Sequence, residues 1–190
     1  MARPVKIVLA GEGGQGVQSV AEIIAEAADR EGREALYIPN FGVEQRGGVS
    51  VAFLQVDDEP VGAPKFQFAD LVVALSDRSV ERVKQHLNAD TIFVYDSSLS
   101  RDEVEQALPG QVKKVLAIPA LEIAKNELHP RVFNIIIMGV VIRLTGVVSE
   151  DGAKGALEDK LGNKFEKDPE LRELNYKAIE RGMGLVAGAG

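Results

Sequence analysis

Short unbroken apolar runs alternate along the chain with stretches in which apolar residues return every third or fourth position. These are the patterns of buried strands and of helices laid against a sheet. The first run, Ile7-Val8-Leu9-Ala10, meets Gly11-Glu12-Gly13-Gly14-Gln15-Gly16. A helical stretch follows that turns Val17, Val20, Ala21, Ile24 and Ala28 inward and Glu26, Asp29 and Arg30 outward, with Gly32 placed to end it. A second strand, Ala35-Leu36-Tyr37-Ile38, stops at Pro39-Asn40, and there the alternation breaks. Asn40-Phe41-Gly42 reads as loop and Glu44-Gln45-Arg46-Gly47-Gly48 as a charged glycine turn. The β-branched residues of 49–56 read as a strand able to pair antiparallel beside an otherwise parallel sheet.

From Ala69 the alternation resumes. Leu71-Val72-Val73-Ala74-Leu75 has the look of a central parallel strand, and Val80, Val83 and Leu87 form the inner face of a helix over 79–87. Residues 91–95 predict another strand, Ser100 an N-cap with Glu103 at the capping-box position, 114–118 a further strand stopped by Pro119, and 120–128 a helix. The order predicts an α/β fold: a three-layer α/β/α, Rossmann-like domain with a mostly parallel, mixed sheet, occupying residues 1–190 as a single domain.

Residues 131–144 leave the amphipathic pattern and are apolar on nearly every side. Such a helix must be covered all round, either at the centre of the core or by another subunit, and the second reading adds an expectation of assembly. Asn134, at its start, serves as a cap or as an interface hydrogen-bonder. Residues 152–161 are amphipathic, and Asp168-Pro169 launches a last helix with Leu171, Leu174 and Ala178 inward. Asn175 shares that face, and its amide needs a partner from backbone or ligand. Gly182, Gly184, Gly188 and Gly190 predict a frayed tail over 184–190.

A net charge of −7 and the lack of any Lys/Arg cluster argue against a nucleic-acid partner. Without cysteine the chain by itself has no disulfide, no thiolate nucleophile and no iron–sulfur cluster, and two histidines are too few for the usual zinc site. The longest apolar stretch, 135–142, falls well short of the roughly 20 residues that span a bilayer, and the start lacks a signal-peptide layout. A cytoplasmic protein with no membrane partner is expected.

Gly11, Gly13 and Gly16 fit G-x-G-x-x-G, the spacing that turns a chain off a strand and brings its N–H groups close to a phosphate at a helix N-terminus. Three readings stay open: a nicotinamide dinucleotide site, a purely structural turn, and a cradle for some other phosphate or a partner surface. The first wants an acid at the end of the second strand, where the chain instead has Pro39-Asn40, with Glu34 ahead of the strand. Arg46 beside Gly47-Gly48 presents a guanidinium next to bare N–H groups, suited to an anion, unless it pairs with Glu44. Ser76, Asp77, Asp96, Ser97 and Ser98 stand at the carboxyl ends of strands, where such sheets bind ligands and where Ser and Asp also cap helices.

Taken in order, Gly11-Glu12-Gly13-Gly14-Gln15-Gly16-Val17, Gly42-Val43-Glu44-Gln45-Arg46-Gly47-Gly48, Asp70-Leu71-Val72-Val73-Ala74-Leu75, Tyr95-Asp96-Ser97, the Asn134 helix with Gly139 and the Asn175 helix with Gly182 resemble the gamma subunit of the 2-oxoacid:ferredoxin oxidoreductases. The resemblance implies a subunit without a redox centre or catalytic residue of its own. It implies alpha, beta and ferredoxin-like delta partners that hold thiamine diphosphate and iron–sulfur clusters, with ferredoxin as acceptor and coenzyme A as a shared ligand. By analogy Gly11, Gly13, Gly14, Gln15 and Gly16 meet coenzyme A or the neighbouring active-site domain, and Glu44, Arg46, Gly47, Gly48 and Asn134 line the interface near that cleft. The substrate leans to 2-oxoglutarate, although Gln45 is closer to the indolepyruvate branch. The alternatives are a free-standing nucleotide-binding dehydrogenase and a ligand-free scaffold.

Overall fold

The computed structural model describes residues 3–41, 48–112 and 114–188. In chain order the elements are β1 (Val5–Gly11), α1 (Val17–Arg30), β2 (Glu34–Asn40), β3 (Ser50–Asp57), β4 (Leu71–Ala74), α2 (Asp77–Val83), β5 (Ile92–Asp96), α3 (Arg101–Ala107), β6 (Lys114–Ile118), α4 (Ala120–Asn126), α5 (Phe133–Thr145), α6 (Glu150–Lys167) and α7 (Pro169–Leu185). Short 3-10 turns follow α2 at Lys84–His86 and precede α5 at Pro130–Val132. No helix among the described residues is long and apolar enough to cross a membrane.

The strands form one mixed sheet in the order β2-β3-β1-β4-β5-β6. β1, β4, β5 and β6 run parallel, and β3 lies antiparallel to both β1 and β2. The expected antiparallel strand is therefore interior, inserted between the first two strands of the βα alternation. Side chains alternate across the sheet. Ile7, Leu9, Leu54, Leu71, Val73 and Val94 face α1, α4 and α5, while Val8, Ala10, Val72, Ala74, Phe93 and Tyr95 face α2 and α3.

Cover for α5 comes from its own chain, the first of the two arrangements open to so apolar a helix, and not from another subunit. Ile136, Met138, Val140 and Val141 are fully buried. The sheet, α1 and α4 lie around α5, and α7 forms a further layer over its outer side. Two glycines allow that layer. A Cβ on Gly139 would lie 2.2 Å from the Ile179 carbonyl oxygen, and one on Gly182 would lie 2.0 Å from that of Ile136. Gly182 is thus a packing residue rather than a sign of fraying. The helix runs on to Leu185, and Val186 beyond it is buried against the core.

Local chemistry sets the helix ends. The Asp168 carboxylate accepts from the Leu171 N–H at 3.2 Å ahead of Pro169, and Ser149 caps a single α6 that is longer than its amphipathic stretch suggests. Ser100 holds the N-cap position of α3 without a side-chain cap bond, so the capping box predicted there is not formed. The buried Asn175 amide donates to the Leu171 carbonyl at 2.7 Å, the backbone alternative of the two.

Candidate functional site

The 11–16 turn and Gly48, the described end of the second glycine-rich segment, lie at one rim, the carboxyl edge of β1 and β2. Gly11, where β1 leaves the sheet, is paired with Ser50 at the start of β3, and Asn40 at the end of β2 is paired with Val51. The 11–16 turn therefore sits beside the feet of the hairpin joining β2 to β3. Gly48 is half-buried just before β3, whereas Glu44, Gln45, Arg46 and Gly47 lie outside the described residues.

Gly14 and Gly16 take φ of +90° and +74°, the left-handed region that side chains disfavour. Between them Gln15 folds back and braces the turn. Its Oε1 accepts from the Glu12 N–H at 2.7 Å, and its Nε2 donates to the Leu75 carbonyl, just beyond β4, at 2.8 Å. A Cβ on Gly11 would lie 2.8 Å from that Oε1, so glycine there makes room for the brace. α1, which follows β1, packs on one face of the sheet and α2, which follows β4, on the other. The β1/β4 crevice is therefore the switch point at which open α/β sheets bind ligands. Gln15 spans it, with its amide spent on shaping the loop.

Gly16 is the N-cap residue of α1 and offers no side-chain cap, and the first turn carries no acid. Among the described residues the first-turn N–H groups and the positive end of the helix dipole consequently meet the rim with no side-chain cap and no first-turn acid, an arrangement that favours an anion. Asn134, in the first turn of α5 rather than at its cap, leans against this point: a Cβ on Gly16 would lie 2.8 Å from its Nδ2. Gly13 differs from its neighbours. Its φ is not left-handed and a Cβ there would meet nothing within 4 Å, so nothing in the described chain demands glycine at this position.

Gln18 was not legible as a site residue, yet it ties the two segments together. Its Nε2 donates to Ser50 Oγ at 2.6 Å and to the Val51 carbonyl at 3.1 Å, and its Oε1 accepts from the Tyr37 hydroxyl at 2.6 Å. Burial, and after it the charge of Glu22, raises the Tyr37 pKa above its ordinary value, so the hydroxyl stays a donor.

At the other strand ends Ser76 and Asp96 serve the backbone. Ser76 Oγ accepts from the Ser79 N–H at the start of α2, and Asp77 lies in that helix's first turn. Asp96, only 2% exposed, accepts from the N–H groups of Ser98 at 3.0 Å and Leu121 at 2.9 Å. A recess of about 280 Å³ lined by Asp96, Ser97, Ser98 and Lys125 opens there. It lies two strands from the glycine turn, and its one buried carboxylate is already committed. The dinucleotide reading fails on topology. With β3 inserted, β2 stands two strand spacings from β1, about 9–10 Å instead of about 4.8 Å, so no residue at its end occupies the ribose-binding position. No cluster of three or more His, Cys, Asp or Glu that could hold a metal occurs among the described residues.

The chain matches the pyruvate ferredoxin/flavodoxin oxidoreductase family over residues 6–185. It belongs to that family. It is 33% identical to the pyruvate/ketoisovalerate oxidoreductases common subunit gamma of Pyrococcus abyssi over 92% of both chains. It is 31% identical to the ketoisovalerate oxidoreductase subunit VorA of Methanothermobacter thermautotrophicus over 94% of this chain, but spans only 35% of that longer relative. The 2-oxoglutarate:ferredoxin oxidoreductase of Magnetococcus marinus, solved with 2-oxoglutarate, coenzyme A and succinyl-CoA bound, superposes with a TM-score of 0.86 at 28% identity, covering 98% of this chain and 32% of that one. The chain thus carries the gamma-type domain of the 2-oxoacid:ferredoxin oxidoreductases.

Proposed function

We propose that this gamma subunit takes part in the coenzyme A-dependent oxidative decarboxylation of a 2-oxoacid, with 2-oxoglutarate the first choice. The products are an acyl-CoA and CO2, and the electron pair passes to ferredoxin. The coenzyme A thiol captures the acyl group. Alpha, beta and ferredoxin-like delta chains carry thiamine diphosphate and the iron–sulfur clusters, consistent with the absence of cysteine here. The 11–16 loop is the backbone cradle for coenzyme A phosphates, and Arg46-Gly47-Gly48, of which only Gly48 lies among the described residues, is assigned to the subunit interface. Asn134 borders the cradle through Gly16. The observation that carries this reading is the uncapped start of α1 at the β1/β4 crevice, held open by the Gln15 brace.

Gly13→Ala tests it, because the added methyl meets nothing in the described chain and leaves the fold intact. A charge-assisted hydrogen bond is worth about 1.5–3 kcal/mol, so a methyl that pushes a phosphate off the loop raises KM for coenzyme A about tenfold or more. Reduction of the clusters by the 2-oxoacid in the absence of coenzyme A stays at the wild-type level. An unaltered KM in the assembled enzyme refutes the cradle. Titrating the complex against a panel of 2-oxoacids decides the substrate, and a preference for pyruvate or a branched-chain acid displaces 2-oxoglutarate.

A further inference from the structure

Among the described residues no helix covers one part of the sheet. On the second face α2 and α3 roof the central strands, and the segment after β3 reaches back far enough to bury Gln55, which donates to the Ala63 carbonyl at 2.8 Å. Edge strand β2 lies beyond that cover. Leu36 and Ile38, opposite Gln55 and Phe53 in the register, share the second face, are half-buried and join neither apolar core. On its first face the same strand packs Ala35 and Tyr37 against the larger core. Phe41, just past its carboxyl end, is 68% exposed, the most exposed large apolar side chain among the described residues. At the other end Glu34 stands directly opposite Asp57. Like charges so placed repel unless a cation joins them, and neither acid has an ion-pair partner among the described residues.

Resting on the gamma-subunit reading, we propose that this strip of β2 seats the partner chain equivalent to the part of the longer relatives that lies outside the domain matched here. In the Methanothermobacter and Magnetococcus proteins that domain is about a third of one polypeptide, whereas in Pyrococcus abyssi it is nearly a whole separate chain. In either arrangement the rest of the assembly has to rest on a surface of this domain. The strip has the required chemistry: an apolar run over Leu36 and Ile38, an aromatic anchor at Phe41, and an acidic end at the exposed Glu34, with the buried Asp57 behind it. The partner element is an apolar ridge carrying a Lys or Arg toward Glu34. Seated there, it lies alongside the hairpin feet and hence within reach of the glycine turn.

Co-expression with tagged partner chains, read by partner recovery and size-exclusion chromatography, tests the surface. Ile38→Glu and Phe41→Ala each reduce recovery about tenfold or more, and Glu34→Lys also weakens it. The thermal unfolding of the isolated chain is unchanged in all three. Phe68→Glu, at an exposed aromatic just ahead of β4 and away from β2, assembles normally. Wild-type recovery and activity with Ile38→Glu overturn the surface alone, leaving the subunit reading in place. Failure of the wild-type chain to recover any partner overturns the subunit reading and the surface with it. If Ile38→Glu converts a self-associated chain to a monomer while partner recovery is intact, the occupant is a second copy and the proposal fails.

Discussion

Replacing Gly182 with alanine places a methyl group where α7 passes closest to α5. The new Cβ would stand 2.0 Å from the Ile136 carbonyl oxygen, 2.9 Å from its carbon and 3.2 Å from the Gly139 Cα, all backbone atoms that cannot rotate away. Ordinary contact at 3.4 Å requires the helices to part by about 1.4 Å at this point. Ile136, Val140, Ala178 and Ile179, fully buried around the contact, would lose close packing as they do so. Overpacking of this kind costs about 3 kcal/mol, and the better helix propensity of alanine returns about 1, leaving a loss of about 2 kcal/mol. For a chain of this size that lowers Tm by about 4–8 °C. Thermal and urea unfolding of the purified subunit measure it, with a lower urea midpoint at constant slope. Gly162→Ala is the control: the position lies within α6 with nothing within 4 Å of a Cβ, and the variant gains about 0.5–1 kcal/mol. If Gly182→Ala matches or exceeds the wild type, α7 does not cover α5 as described.

Gln15→Ala removes both brace bonds, lowers stability by about 1–2 kcal/mol and speeds amide exchange at Glu12; unaltered exchange there would count against the brace. Asp96→Asn turns an amide N–H toward one of the N–H groups the carboxylate now serves, lowering stability by about 1–3 kcal/mol while leaving the specific activity of the folded complex unchanged. A drop in turnover without a drop in stability would instead make Asp96 a site residue. Burial followed by Glu22 raises the Tyr37 pKa, and burial followed by the hydrogen bond to Glu158 raises that of Tyr176 to about 12. Because the folded values exceed the unfolded one near 10, this stabilisation is complete below pH 10 and fades as pH rises through the folded values. Titrating the tyrosinate absorbance should show the highest transition disappear in Tyr176→Phe, and a single common transition near pH 10 would refute the assignment.

The alternation of apolar runs made the parallel strands and the α/β class legible, because a strand buried on both faces admits little else. The place of β3 was not legible. Its β-branched residues announce an antiparallel strand, but only the ladder Gly11 to Ser50 and Asn40 to Val51 shows it to be interior. Nor was the cover of α5: an all-apolar helix reads the same whether its roof is a partner or α7, and the difference rests on the facing pair Gly139 and Gly182 across 43 residues of sequence. At the candidate site the glycine spacing marked the loop. The role of Gln15 escaped, since a glutamine between glycines carries no sign of which carbonyl it will reach. Gln18 escaped for the same reason, its partners lying on β2 and β3.

The inserted strand also limits what redesign can do here. Writing an acid into the end of β2, for instance Asn40→Asp, is the obvious way to retrofit a nicotinamide preference onto a loop of this spacing. The carboxylate would land one strand too far out, with β3 standing where the adenosine sugar would have to lie. Altering cofactor choice in this scaffold therefore means rewiring strand connectivity, which no point substitution achieves.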